Sequence, residues 1–81
     1  MCDLKLPVLG PGSSGTVVII LQMMLYDIYR DRIRIAIDGD YGPETESAIE
    51  VFQETNGLTV DGICGPDETW PAVIRIWWEG L

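Results

Sequence analysis

The chain has 81 residues, 47% of them hydrophobic and 22% charged, with no histidine and a formal net charge of −8. That length supports one hydrophobic core, and the apolar content excludes an intrinsically disordered chain. The missing histidine removes the commonest general base and metal ligand, and the acidity opposes a phosphate backbone, so no nucleic-acid partner is expected.

The charge is uneven. Residues 1–35 carry Lys5, Arg30, Arg32 and Arg34 against Asp3, Asp27 and Asp31, a net +1, whereas residues 36–81 carry −9. Cys2 and Cys64 permit one disulfide without demanding it. Two free thiols, with Cys64 acting as a small buried hydrophobe, is the simpler expectation.

Met1 to Gly15 is an extended arm, because Pro7, Gly10, Pro11, Gly12 and Gly15 interrupt any regular structure. Ser13 and Ser14 stand where a helix N-cap belongs. A first helix is predicted over about 15–29, with Val18, Leu21, Leu25 and Ile28 on one face. Val17, Ile19, Ile20, Met23 and Met24 surround that face, an apolar excess that a three-element domain covers on one side only. The run Val17–Leu25 is too short to span a membrane, which takes about 20 residues. Its flanks, PVLGPGSSG and YDIYRDR, do not suit a signal peptide, so any export relies on something else. In RIRIAI (32–37), Ile33, Ile35 and Ile37 alternate with Arg32, Arg34 and Ala36. With no second strand of similar quality to pair with, an extended connector with one buried side is predicted.

An internal repeat follows. IDGDYGPET (37–45) returns as VDGICGPDET (60–69), with one extra residue before its threonine. The Asp side chain can close an Asx-turn, Gly39 and Gly62 permit positive φ, and Pro43 and Pro66 suit a first helical turn. Glu44, Asp67 and Glu68 place negative charge at the positive helix ends. A second helix is predicted over about 43–55, with Ala48, Ile49, Val51 and Phe52 inward and Asn56–Gly57 as its stop. Glu46, Glu50 and Glu54 form an i, i+4, i+8 ladder that needs solvent or cations, for which Arg30, Arg32 and Arg34 are candidates. A third helix is predicted over about 69–79, with Trp70, Val73, Ile74 and Trp77 on one face. It follows a turn at Pro66–Glu68, with Thr69 capping and Pro71 tolerated in its first turn.

These blocks resemble a known family. GSSGTVVIILQMML (12–25), IDGDYGPETESAIEVFQ (37–53) and GLTVDGICGPDETW (57–70) look like the small three-helix peptidoglycan-binding domain of bacterial and phage cell-wall hydrolases. Val18, Leu21, Gln22 and Leu25 match its first block. Asp38, Gly39, Gly42, Pro43, Thr45, Ala48, Phe52 and Gln53 match the second. Gly57, Leu58, Asp61, Gly62, Gly65, Pro66, Thr69 and Trp70 match the third. Tyr41 replaces the usual Phe or Trp, Cys64 replaces an aliphatic residue, and the connector before Ile37 is longer and more basic. The resemblance implies an all-α, three-helix bundle-like single domain over 1–81, with two Asp-Gly turn-helix repeats and an extended N-terminal arm. It implies non-catalytic binding of peptidoglycan, through stem peptide or glycan, that localises a partner hydrolase domain or assembly, with no cofactor. By the same resemblance, the protein works at the cell wall or in the extracellular or periplasmic space.

The expected ligand groove is lined by the turns and the start of the second helix, through Arg34, Asp38, Asp40, Tyr41, Thr45 and Trp70. For the two aromatics, Tyr41 and Trp70, core packing is the more frequent role, with stacking on a sugar face as the alternative. Gln22 and Gln53 are expected to bond neighbouring loops rather than ligand. Asp38 and Asp61 are the best-placed carboxylate pair for hydrolysis, but turn capping already accounts for their position. Neither cysteine has a histidine to activate it, so no catalytic residue is assigned. Asp38, Asp40 and Glu44 hint at a calcium loop, yet their spacing fails and Asp40 becomes Ile63 in the second copy, so no metal site is assigned. Trp77 and Trp78 lie about 100° apart, so one must be poorly covered. With Val17, Ile20 and Met23, Trp78 outlines an apolar partner patch, unless the N-terminal arm folds over it. That patch supports a rival reading, a protein-interaction module of a larger assembly that keeps the fold without the wall ligand.

Overall fold

A computed structural model describes residues 6–80. Within them lie three α-helices, α1 (Thr16–Tyr29), α2 (Pro43–Thr55) and α3 (Thr69–Glu79), with a 3₁₀ turn (Arg30–Arg32) after α1 and no strand. Cys2 lies outside the described residues.

The helices begin and end for local reasons. The N-cap of α1 is Gly15, not a serine: Ser14 pairs as an isolated bridge with Asp40, and Ser13 Oγ accepts from Gly10 N–H at 3.1 Å. Pro43 opens α2 at its first position, where its missing N–H costs nothing, and Glu44 and Glu46 fill the first turn. The helix ends in a left-handed Gly57 (φ 69), with Leu58 N–H donating to Gln53 C=O at 2.8 Å and Gly57 N–H to Glu54 C=O at 3.3 Å, a Schellman closure. Pro71 is the third residue of α3, within the turn whose N–H groups have no helical partner. Thr69 does not cap α3. It is the first helical residue, Glu68 is the N-cap, and the threonine hydroxyl is used elsewhere. The C-cap of α1, Arg30, takes φ 52 and ψ −113, a conformation that costs a non-glycine residue about 1–3 kcal/mol.

The core takes Val18, Leu21 and Leu25 from α1, Ala48, Ile49 and Phe52 from α2, and Trp70, Ala72 and Val73 from α3. Tyr29 stands edge-on to Phe52, ring centroids 6.5 Å apart. The connector is extended, with Ile33 and Ile35 packed against this core, but Ile37 is exposed. Val51, expected inward, is also exposed, because α2 turns Gln53 rather than Val51 to the interior.

The described part of the arm lies along both Asp-Gly turns. Leu9 is buried and exchanges two backbone hydrogen bonds with Cys64, at 3.0 and 2.7 Å. Tyr41 N–H donates to Ser13 C=O at 2.9 Å, and Gly15 N–H to Gly39 C=O at 2.9 Å. The described arm therefore does not cover α1. Val17, Ile19, Ile20, Met23 and Tyr26 are exposed, as is Trp78, whereas Trp77 is half-buried.

Candidate functional site

Each Asp-Gly turn is held by a glutamine from the preceding helix. Gln22 of α1, wholly buried, accepts at Oε1 from the N–H groups of Asp38 (3.1 Å) and Gly39 (2.9 Å). Its Nε2 lies 3.1 Å from Asp38 Oδ1, 3.0 Å from Asp40 C=O and 3.0 Å from Thr45 Oγ1. Gln53 of α2 repeats the pattern, accepting from Asp61 and Gly62 N–H at 3.1 and 3.0 Å. Its amide donates toward Asp61 Oδ1 (2.8 Å), Ile63 C=O (2.9 Å) and Thr69 Oγ1 (3.0 Å). Two amide hydrogens serve three acceptors in each case, so every polar atom of the side chain is engaged.

The carboxylates complete the turns. Asp38 Oδ1 accepts from Asp40 N–H, and Asp61 Oδ1 from Ile63 N–H, both at 3.0 Å. These backbone hydrogen bonds, then the glutamine amides, hold both carboxyl groups below the ordinary aspartate range. Gly39 and Gly62 take φ 80 and 72, which the turn requires. The extra residue of the second copy is absorbed by the turn Pro66–Glu68, so Thr69 reaches Gln53 from the first position of α3 while Thr45 reaches Gln22 from the third position of α2.

Each turn leaves a hollow on its outer side. The first, about 120 Å³, is bordered by Asp38, Asp40, Pro43, Glu44 and Thr45. The second, about 340 Å³, is bordered by Thr59, Asp61, Ile63, Asp67 and Glu68. Of the six residues expected to line a groove, three therefore meet at the first turn: Asp38 and Asp40 are exposed, and Thr45 is buried beneath them. Arg34 does not join them: it is exposed in a different hollow, with Tyr26 and Arg30.

Tyr41 and Trp70 are turned inward rather than toward a groove, and each is only 2% exposed. Tyr41 OH donates to Gly62 C=O at 2.6 Å, joining the two turns through the core. Burial raises this phenol well above its usual range, and Cys64 and then Glu46, Asp61 and Glu50 add to the effect. Glu46 and Glu50 lie over Gly62, where an added Cβ would stand 3.1 and 3.5 Å from their Cγ atoms. The first two members of the glutamate ladder thus flank the second turn. Trp70 Nε1–H donates to Pro7 C=O at 2.7 Å and anchors the arm. Cys64 is a free, buried thiol whose pKa burial pushes up to about 12, which makes it a poor nucleophile. Among the described residues no cluster of acidic or cysteine side chains is arranged to hold a metal ion. Arg30 and Trp77, with Asp27, border a further hollow that the sequence did not single out.

Comparison with known proteins places this geometry. The family model of the peptidoglycan binding domain matches residues 14–70. The chain is 43% identical over 58 residues to a zinc D-Ala-D-Ala carboxypeptidase of Streptomyces albus G, an alignment that takes in 72% of this chain and 23% of the carboxypeptidase. Among solved structures, the N-terminal domain of SleB superposes with a TM-score of 0.77 at 35% identity, covering 88% of this chain and 93% of that one. A peptidoglycan-binding protein from Clostridioides difficile gives 0.78 at 35% identity, covering 88% and 42%. The chain spans between 17% and 52% of the lengths of the curated relatives it matches.

Proposed function

Because the chain belongs to the peptidoglycan-binding domain family, we propose that it attaches non-covalently to bacterial cell wall and holds an accompanying hydrolase domain or assembly there. The contact surface is the first Asp-Gly turn, through Asp38 and Asp40; Arg34 lies in a different hollow, with Tyr26 and Arg30. Tyr41, Thr45 and Trp70 act from beneath by fixing that surface. The observation that carries this reading is the pair of glutamine-locked turns inside the matched segment. Such preorganisation lowers the ordering cost of binding a polymer. No bond is broken in this mechanism: Asp38 and Asp61, the carboxylates best placed for hydrolysis, each accept a backbone hydrogen bond within their own turn.

Sedimentation with insoluble peptidoglycan tests it. The native chain is expected in the pellet and a turbid wall suspension to stay turbid. The side chain of Asp40 supports no turn hydrogen bond, since only its N–H and C=O are used. Asp40→Ala should therefore reduce pelleting without lowering Tm. Native protein that stays in the supernatant would sink the proposal, and clearing of the suspension would replace attachment by hydrolysis.

A second reading, docking onto a neighbouring protein surface, is favoured by the exposed Val17, Ile20, Met23 and Trp78. It predicts a supernatant protein that associates with itself or its partner as concentration rises.

A further inference from the structure

Away from the Asp-Gly turns, the C-terminal ends of α1 and α3 enclose a hollow of about 400 Å³, bordered by Asp27, Ile28, Arg30, Ile76 and Trp77. At Arg30 it meets the hollow that holds Tyr26 and Arg34. We propose that this groove is a saccharide subsite for the amino-sugar strand of the wall polymer, separate from the first-turn surface. The proposal rests on the wall-binding reading for its source of ligand but on different residues for its chemistry.

Three observations carry it. First, the groove combines the surfaces that a pyranose ring needs: an aromatic ring at Trp77, aliphatic walls at Ile28 and Ile76 for C–H and methyl groups, and a carboxylate and guanidinium for hydroxyls. Second, the carboxylate is oriented. Trp77 Nε1–H donates to Asp27 Oδ2 at 2.9 Å, and Oδ1 takes no hydrogen bond from the described residues. Third, Arg30 is the one non-glycine residue among those described with positive φ. Its side chain is exposed, so core packing does not offset that backbone strain. Glycine would fit the backbone better, yet arginine stands there and points to a role for its guanidinium.

The experiment is a heteronuclear NMR titration of the labelled chain with tetra-N-acetylchitotetraose, alongside wall sedimentation of the same protein. Shifts are expected at the Trp77 indole N–H, Asp27, Arg30 and Ile76, with little change at Asp38–Gly42. Arg30→Gly removes the guanidinium and relieves the backbone. It should weaken the sugar by about tenfold, as loss of a charged hydrogen bond does, with Tm held or raised. Trp77→Phe keeps a ring but loses the N–H that orients Asp27, and should weaken binding while remaining folded. Absence of shifts at Trp77 and Arg30, or full affinity in both variants, would overturn the inference. If the native protein still pellets with wall in that case, the attachment reading stands without it. Should the sugar bind here while the protein stays off the wall, the subsite stands and the attachment reading fails.

Discussion

A buried glutamine is expensive unless both ends of its amide are satisfied. Gln22 and Gln53 meet that condition, and in doing so each fixes the turn that starts the next helix. Replacing Gln53 by the apolar, similar-sized leucine would strand the N–H of Gly62 and the hydroxyl of Thr69 in the interior. Gln53→Leu is therefore expected to cost about 2–4 kcal/mol, the sum of a few orphaned groups at ~1–3 kcal/mol each. Urea unfolding followed by circular dichroism checks this, and a loss below ~1 kcal/mol would mean the network is incidental. These glutamines were legible in the sequence because each follows a core leucine or phenylalanine on its helix. Tyr41 and Trp70 were not. An aromatic residue next to a turn reads more often as a lid on the core than as a stacking surface, but the local sequence does not decide between them. What decides is the acceptor each finds inside, Gly62 C=O for one and Pro7 C=O for the other, and neither partner is near in sequence. Arg30 was opaque for a related reason: nothing in YRDR announces positive φ at an arginine.

At the scale of elements, the two turns are equivalent devices, and their carboxylates are shifted in the same direction by the same kinds of hydrogen bond. Asp38 and Asp61 both have folded-state pKa values below the ordinary ~3.9 of the unfolded chain. As pH falls, the unfolded chain takes up these protons first. The stability they supply is thus complete above about pH 4 and is lost as pH drops through the lower folded values. Tm should fall below that point. Asn at either position keeps the oxygen acceptor of the turn but has no proton to bind, so Asp38→Asn with Asp61→Asn should flatten this acid limb. Thermal melts in steps from pH 5 to pH 2 decide it, and an unchanged limb would assign acid sensitivity to other carboxylates. The turn-to-helix units themselves were readable from the repeat, because Asp, Gly and Pro each restrict the backbone locally. The capping roles of Ser13, Ser14 and Thr69 were misread for three different reasons: the Ser13 hydroxyl accepts from Gly10 within its own turn, the backbone of Ser14 bridges to Asp40, and Gln53 claims the Thr69 hydroxyl.

Across the whole molecule, the core is built from one face of each helix, and α1 has apolar residues beyond that face. Val18, Leu21 and Leu25 are fully buried while Val17, Ile20 and Met23 are 39%, 43% and 52% exposed. The periodicity announced this excess, but what meets it lies outside the sequence's reach, since coverage depends on surfaces the local pattern does not encode. The chain spans only part of the curated relatives it matches, and the described part of its arm packs against the turns rather than this face. Exposed apolar side chains at i, i+3 and i+6 on one helix favour association, because each CH₂ removed from water contributes about 0.8 kcal/mol. The 81-residue chain alone is therefore expected to self-associate reversibly as concentration rises, with sedimentation velocity as the readout. Ile20→Lys with Met23→Lys adds two positive charges to this face without touching the core, and should hold the protein monomeric with Tm nearly unchanged. If wall sedimentation survives that double substitution, attachment and association belong to different faces. If pelleting is lost while Asp40→Ala still pellets, the exposed face of α1 rather than the first turn is what meets the wall.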